Sequence, residues 1–273
     1  MGRAALPPLA IGGASKVTSM SENMWREVRW LDHTGSTNSD VAAEARRGEA
    51  EGLVVATLDQ RAGRGRLDRS WVAPPGACLA FSLLLQPRPG PSQWGWLSLL
   101  AGMAVHAAIS GMAREPQRVQ LKWPNDVLID GRKVCGILSE RIEHPGGARA
   151  VIGVGINISM DEDQLPVPSA TSCRIAGLPE DPRRLLVSVL EHFQRLYESW
   201  QAAGQVRSEY QRHCASIGIP LRIVVDQQRA IAGTGHGVDE YGRLQVETDA
   251  GVQVFAVGDV VHARFGELPE RAV

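Results

Sequence analysis

The pattern of apolar and polar positions divides the chain into a long region of mixed elements and a short terminal region of strands. Largely apolar runs at 53–58 and 151–158 predict buried strands. Apolar residues that recur every three or four positions predict helices, most clearly over 94–113 and 182–200. From residue 218 onward only short alternating strands and turn signals remain. The pattern predicts an α+β fold, a mixed or antiparallel sheet with helices packed on it and then a small β-barrel.

Residues 122–140 predict a strand, a tight turn and a second strand. Asp130-Gly131 is a strong hairpin turn signal between two apolar runs. The chain has three lysines against 26 arginines, and two of the lysines, Lys122 and Lys133, lie in this hairpin. A lysine ammonium is a compact point charge that can sit between oxygens, whereas arginine presents a planar fork. The hairpin is therefore either an ordinary one with solvated lysines or part of a site for an anion.

Residues 60–71 form a loop that is rich in arginine and glycine. Glycines let backbone N–H groups approach an anion, and guanidinium groups clamp phosphate through two hydrogen bonds. The spacing excludes a P-loop. A solvated basic loop and an arginine patch that binds RNA remain as alternatives. Trp71, at the end of the loop, would stack on a purine or fill the core.

Two further segments contain residues that could contact a ligand. Ser36-Thr37-Asn38 precedes and begins a helix predicted over 37–47, where these residues either cap the helix or bind a polar ligand. In the strand 151–158, Gly153 and Gly155 weaken β-structure, which indicates close approach of a ligand ring or of a neighbouring strand.

Composition excludes several classes of protein. The net charge of −1 gives no global attraction to nucleic acid or to an anionic membrane, so any anion site must be local. No apolar run approaches the ~20 residues that span a bilayer, and neither the cysteines nor the histidines show zinc-ligand spacing. Scattered cysteines predict a reducing, cytoplasmic location. Residues 1–26 are predicted to be a disordered extension.

Three motifs together resemble the biotin–protein ligases, also called biotin–[acetyl-CoA-carboxylase] ligases. The motifs are Gly63-Arg64-Gly65-Arg66 ahead of Trp71, Lys122-Trp123-Pro124-Asn125-Asp126 eleven residues before Lys133, and Gly153-Val154-Gly155-Ile156-Asn157. The resemblance covers about residues 27–266, and the motif that begins at Lys122 is its most specific part. It implies a catalytic domain over 27–217 of the class II synthetase type, an SH3-like β-barrel over 218–266 and a tail over 267–273.

The resemblance also implies a two-step reaction. Biotin carboxylate attacks the α-phosphorus of ATP with Mg²⁺ to give biotinyl-5′-AMP and pyrophosphate. A lysine of a biotin carboxyl carrier domain of a carboxylase then attacks the anhydride, which gives an amide and AMP. Such transfer depends on positioning and charge stabilisation, so it needs cations and backbone donors rather than a covalent nucleophile.

The resemblance and the residue chemistry together assign roles. Lys133 would bridge the biotin carboxylate and the α-phosphate, and Arg64 and Arg66 would hold carboxylate and phosphate oxygens while the loop closes and excludes water. The predicted biotin-binding residues are Ser36, Thr37, Asn38, Gln60, Gly63, Arg64, Lys133, Gly136, Gly153 and Gly155. The predicted nucleotide-binding residues are Arg66, Trp71, Lys122, Asn125 and Asn157, with Asp126 as a metal ligand.

The chain departs from the family pattern in two places. Asp68 stands where relatives commonly carry glycine, and Asp68→Gly is expected to leave activity equal or to raise it; a severe loss would refute this. The 26 residues before the catalytic domain cannot hold the helix-turn-helix of repressor-type members, so no operator binding is expected. A monomer or weak homodimer without membrane contact is expected.

Two competing functions remain on the sequence. A lipoate–protein ligase of the same superfamily would carry an Arg-Arg-x-x-Gly-Gly-Gly loop, which this chain lacks. A non-enzymatic nucleic-acid-binding protein would use the arginine loop and the barrel, but the net charge of −1 disfavours it.

Overall fold

The computed structural model describes residues 23–66, 69–225, 229–256 and 258–262. Asp68, on which one prediction depends, lies outside the described residues, as do the first 22 residues and the tail. No helix in the described part of the chain is both long and apolar enough to cross a bilayer.

Among the described residues, the first part of the chain contains nine strands and four α-helices, with short 3-10 turns at Pro91–Gln93, Pro116–Arg118 and Glu162–Gln164. The strands are β1 (Glu27–Leu31), β2 (Leu53–Thr57), β3 (Gly63–Arg64), β4 (Ser70–Trp71), β5 (Cys78–Leu85), β6 (Val119–Lys122), β7 (Asp126–Ile129), β8 (Arg132–Ile142) and β9 (Arg149–Asn157). The helices are α1 (Thr37–Arg46), α2 (Gly95–Ser110), α3 (Pro182–Ala203) and α4 (Arg207–Gln211).

Seven of these strands form one sheet in the order β1-β2-β5-β9-β8-β7-β6, and β3 pairs with β4 in a separate short ribbon. The pair β1–β2 is parallel and every other pair in the large sheet is antiparallel. The predicted hairpin is confirmed as β7 and β8, joined by Asp130 and Gly131 with φ of 51° and 75°. Both turn residues need positive φ, which glycine adopts without strain and aspartate tolerates.

The sheet is covered on both faces. Alternate residues of one strand point to opposite sides, and Val54 packs with α2 and α3 while Val55 packs with α1. This explains why the central strands are apolar at nearly every position. The α+β prediction is confirmed.

Helix α3 shows why the sequence forms its longest helix where it does. Asp181 caps the N-terminus by accepting from the N–H groups of Arg183 and Arg184, and Pro182 occupies the first helical position. Gly204 ends the helix with φ of 74°.

The folded region begins before residue 27, the boundary predicted from the sequence. The Trp25 indole donates to Leu190 O at 3.1 Å, and its ring lies 5.9 Å from Phe193. A lone tryptophan in a segment without periodicity gave no signal of this packing.

The C-terminal region forms a five-stranded antiparallel sheet in the order β13-β12-β11-β10-β14. Its strands are β10 (Pro220–Val224), β11 (Ala230–Val238), β12 (Leu244–Thr248), β13 (Gly251–Phe255) and β14 (Asp259–His262). Two buried indoles anchor it to the first region, because Trp96 donates to Glu240 O at 2.8 Å and Trp123 to Gly242 O at 3.0 Å. The C-terminal sheet is therefore docked and does not stand free.

We expect Trp96→Phe to lower the free energy of unfolding by about 2 kcal/mol, because it removes a buried hydrogen bond and leaves a void. Trp94→Phe is the matched control, since its indole donates to Pro89 O within a local turn and is only partly buried. Urea unfolding followed by circular dichroism measures both. If both variants lost the same free energy of unfolding, the contact of Trp96 with the C-terminal sheet would add no more stability than the local contact of Trp94.

Candidate active site

A cavity of about 520 Å³ lies where the hairpin, β9, the N-terminus of α1 and the arginine loop meet. All but two of the residues predicted from the sequence line it: Ser36, Thr37, Asn38, Gln60, Arg64, Arg66, Trp71, Asn125, Asp126, Lys133, Gly136, Gly153, Gly155 and Asn157. The exceptions are Gly63, whose backbone pairs with Trp71, and Lys122.

Lys133 lines the cavity, and hydrogen bonds hold its backbone in place. Its ammonium lies 2.5 Å from Asp126 Oδ1 and 5.8 Å from the centroid of the Trp71 ring. Its backbone is fixed on one side, since its N–H donates to Ser169 O at 2.7 Å and its carbonyl accepts from Thr171 N at 2.8 Å. The side chain remains one-third exposed. A fixed backbone with an accessible ammonium suits a group that must meet an anion.

Lys122, the other lysine of the hairpin, is half-buried beside this group. Burial lowers the pKa of Lys122, while the Asp126 carboxylate opposes the shift and the Lys133 ammonium adds to it. The two lysines are thus different in kind, since only Lys133 lines the cavity.

The two arginines of the loop also have different surroundings. Arg66 donates to Asn125 Oδ1 at 3.1 Å and to Gly258 O at 3.3 Å, and burial lowers its pKa. Arg64 is half-exposed and forms an ion pair with Glu140 at 3.1 Å. Arg66 contacts Asn125, in the turn between β6 and β7, and the C-terminal sheet, whereas Arg64 contacts Glu140 of β8 and Ser39 of α1.

The N-terminus of α1 forms a polar end of the cavity. Thr37 N donates to Gln60 Oε1 at 2.9 Å, and the Thr37 hydroxyl lies 3.2 Å from the same oxygen. Ser36 is the N-cap residue, but its side chain makes no capping hydrogen bond. Capping therefore does not account for the serine hydroxyl, and it is available to a ligand.

The glycines of β8 and β9 make room for two side chains. A Cβ on Gly155 would lie 2.6 Å from the Trp71 ring, and one on Gly136 would lie 2.8 Å from it. A Cβ on Gly153 would collide with the Asn38 amide. The sequence left open whether a ligand ring or a neighbouring strand approaches these glycines. In the structure, the side chains of Trp71 and Asn38 lie against them. Trp71 also donates to Cys78 Sγ at 3.3 Å, so it forms a wall of the cavity.

The two asparagines of the motifs are held by backbone carbonyls. Asn125 Nδ2 donates to Ile137 O at 2.8 Å, and Asn157 Nδ2 donates to Thr171 O at 2.9 Å. Because Thr171 also binds the Lys133 carbonyl, Asn157 supports the segment that holds the central lysine.

Comparisons with known proteins decide the family. The biotin/lipoate A/B protein ligase family matches residues 31–157, and the biotin protein ligase C-terminal domain matches residues 217–263. The biotin–[acetyl-CoA-carboxylase] ligase of Mycobacterium tuberculosis is 35% identical over 245 residues, which are 88% of this chain and 90% of that relative. The chain belongs to the biotin–protein ligase family.

Other biotin–protein ligases and their structures agree. The biotin–[acetyl-CoA-carboxylase] ligase of Paracoccus denitrificans is 31% identical over 242 residues, covering 84% of this chain and 98% of the relative. The biotin protein ligase of Aquifex aeolicus in complex with biotin and ATP has the same fold, with a TM-score of 0.73 at 24% identity over 88% of this chain and 100% of that one.

Among the residues missed from the sequence are Asp259, which lines the cavity, and Ser82 and Glu140, which contact residues that line it. Ser82 is fully buried in β5 and contacts Thr37 and Asn38. Asp259 begins β14, lines the cavity and forms ion pairs with Arg66 and Arg69. Ser82 left one signal, since it is the only hydroxyl in an otherwise apolar strand. Glu140 and Asp259 left none, because only the fold brings them to their arginines.

Proposed function

We propose that this chain activates biotin with ATP to biotinyl-5′-AMP and transfers biotin to a lysine of a biotin carboxyl carrier domain. One observation carries the proposal: in a member of the biotin–protein ligase family, the polar residues at the start of α1 and the lysine of the hairpin line one cavity. Such a cavity suits a ligand with a polar ring at one end and a carboxylate at the other.

Biotin fits this cavity in one direction. Its ureido ring has two N–H donors and one carbonyl acceptor, which the hydroxyl and amide groups of Ser36, Thr37 and Gln60 can satisfy. Its aliphatic chain passes the Trp71 wall beside Gly136, where apolar contact is available. The carboxylate then reaches the Lys133 ammonium.

Activation follows from the charges at that point. A carboxylate oxygen attacks the α-phosphorus, and the bond from that phosphorus to the bridging oxygen of pyrophosphate breaks. Lys133 reduces the repulsion between the two anions, and Arg66 takes up charge on the phosphate from the other side. Fixed cations in a partly enclosed site act most strongly on charge that develops during the reaction.

The donor set fits a magnesium ion that arrives with the phosphates of ATP. Within the described residues no cluster of three or more His, Cys, Asp or Glu could hold a metal, so a cage made by the protein alone is absent there. Magnesium commonly binds one or two carboxylates together with substrate phosphates. Asp126, with Asn125 beside it, would hold the ion, which would neutralise triphosphate charge.

Transfer needs an amine from outside the chain. The neutral lysine amine of the carrier domain attacks the carbonyl carbon of the anhydride, the carbon–oxygen bond to phosphate breaks, and AMP leaves. The amine loses its proton in forming the amide. Lys133 and Arg66 stabilise the leaving phosphate, so the same cations serve both steps.

Release of pyrophosphate tests the proposal and separates its rivals. The chain is incubated with ATP and Mg²⁺ together with biotin, lipoate or RNA. We expect pyrophosphate with biotin alone. Release with lipoate alone would assign the chain to lipoate ligation, and binding of RNA without any pyrophosphate would exclude an enzyme of this type.

The different surroundings of the two arginines lead to a paired prediction. Arg66→Gln should raise the KM for ATP about 10-fold and leave the Kd for biotin nearly unchanged, because Arg66 faces Asn125 and the hairpin. Arg64→Gln should do the reverse, because Arg64 lies beside α1. Steady-state kinetics and calorimetry measure both variants, and identical profiles would contradict the division.

A further inference from the structure

A chain of hydrogen bonds runs from Glu140 to the polar end of the cavity. Asn38 Nδ2 donates to Glu140 Oε2 at 2.6 Å. Asn38 Oδ1 lies 2.6 Å from the Ser82 hydroxyl, which lies 2.8 Å from the Thr37 hydroxyl. Ser82 is fully buried, and Thr37 and Asn38 are 3% and 5% exposed. Water therefore has little access to these groups, and they must satisfy one another.

The carboxylate at one end orders the protons along this chain. An ionised carboxylate only accepts, so Asn38 must direct its amide nitrogen to Glu140 and its amide oxygen to Ser82. The Ser82 hydroxyl then donates its single proton to the Asn38 amide oxygen. Ser82 must accept from Thr37, because two hydroxyl oxygens 2.8 Å apart without a proton between them would repel each other.

The order reaches the ligand through Thr37. Its one proton goes to Ser82 at 2.8 Å and not to Gln60 at 3.2 Å, whose oxygen already receives the Thr37 backbone N–H. The Thr37 oxygen is left with lone pairs only. Thr37 lines the cavity, so this oxygen can accept an N–H from a ligand but cannot donate to one.

We propose that Glu140 is a specificity-determining positioning residue: through Asn38 and Ser82 it orders the protons so that Thr37 accepts an N–H of the ureido ring. The proposal rests on biotin as the substrate. Arg64 holds the Glu140 carboxylate from the loop side at 3.1 Å, which keeps the end of the chain in place. A ring that lacks an N–H at this position is rejected.

Single substitutions should break the order without removing the pocket. Glu140→Gln supplies an N–H donor, so Asn38 can turn over and the Ser82 proton can point to Thr37. We expect the Kd for biotin to rise about 10-fold, the worth of one hydrogen bond. Ser82→Ala should give a similar rise, and the two together should not add, because both cut one chain.

A double substitution should restore the proton order of the chain from Glu140 to Thr37. In Asn38→Asp with Glu140→Gln, the amide and the carboxylate change places. The new amide at position 140 donates to the new carboxylate at position 38, which still accepts from Ser82, so the proton order is the same as in the natural chain. We expect the double variant to return to within about 3-fold of the natural Kd, whereas Asn38→Asp alone opposes two carboxylates and binds poorly.

Calorimetry without ATP measures these effects with biotin and with biotin methylated on either ureido nitrogen. The natural chain should prefer biotin to at least one methylated form, Glu140→Gln should lose about 10-fold of that preference, and the double variant should regain it. Glu143→Gln is the matched control, since Glu143 is exposed and pairs with Arg141. Thermal melting confirms that each variant is folded.

The outcomes separate this proposal from the function on which it rests. If the natural chain does not bind biotin, the proposed function fails. If the natural chain binds biotin but Glu140→Gln has an unchanged Kd, the ordered chain is wrong. If Glu140→Gln weakens binding but the folded double variant binds no better than Glu140→Gln, the ordered chain is also wrong, and Glu140 acts only by anchoring Arg64.

Discussion

Lys133→Ala should lower biotin-dependent pyrophosphate release by at least about 1,000-fold, because it removes the cation that we propose to lie between the biotin carboxylate and the α-phosphate. The loss exceeds that of one charge. Asp126, whose Oδ1 lies 2.5 Å from the Lys133 ammonium in the natural chain, would face the biotin carboxylate and the α-phosphate as a third negative group. Rapid-quench measurement of the first turnover follows the chemical step directly.

A second variant makes this prediction sharper. Lys122→Ala should cost about 10-fold only, since Lys122 does not line the cavity. If Lys122→Ala were the more damaging, Lys133 would not be the central cation.

Gly155→Val should weaken biotin binding about 100-fold while the protein remains folded, because steric exclusion from a tight pocket costs several hydrogen bonds and contacts at once. A Cβ at this position would lie 2.6 Å from the Trp71 ring, so the ring must move into the cavity. Valine is favoured in a buried strand, so β9 should remain folded in this variant.

Removing the obstacle should reverse the effect. Trp71→Leu added to Gly155→Val should regain much of the binding, since the smaller side chain leaves the cavity open. Gly90→Ala is the control, because a Cβ there meets nothing within 4 Å. Calorimetric titration with biotin measures all three variants. Failure of the second substitution to help would mean that Gly155 acts on the strand and not through Trp71.

Much of the fold was predictable because its signals are local. The Asp130-Gly131 turn, the apolar runs of the central strands and the stripe of α3 each depend on neighbours in the sequence. The predicted start of the folded region was wrong, because Trp25 packs on a helix more than 160 residues away.

The residues of the site also differ in whether their signals are local in the sequence or depend on distant contacts. Motifs that lie on one loop or hairpin, such as those of Lys133 and Arg66, could be read from the sequence. The different partners of Arg64 and Arg66 could not, because Glu140 and Asp259 belong to distant strands. The position of Trp71 depends on two glycines in other strands, so the residues of its own loop left both a purine and the core as its partners.

Transfer of biotin to a carrier domain tests the account most directly. The chain is mixed with biotin, ATP and Mg²⁺, freed of small molecules, and given a purified biotin carboxyl carrier domain; mass spectrometry follows the carrier domain. We predict one biotinyl group on one lysine, formed without further ATP and absent when Lys133→Ala replaces the natural chain. A carrier domain that stays unmodified while pyrophosphate is released, or that is modified equally by Lys133→Ala, would contradict the account.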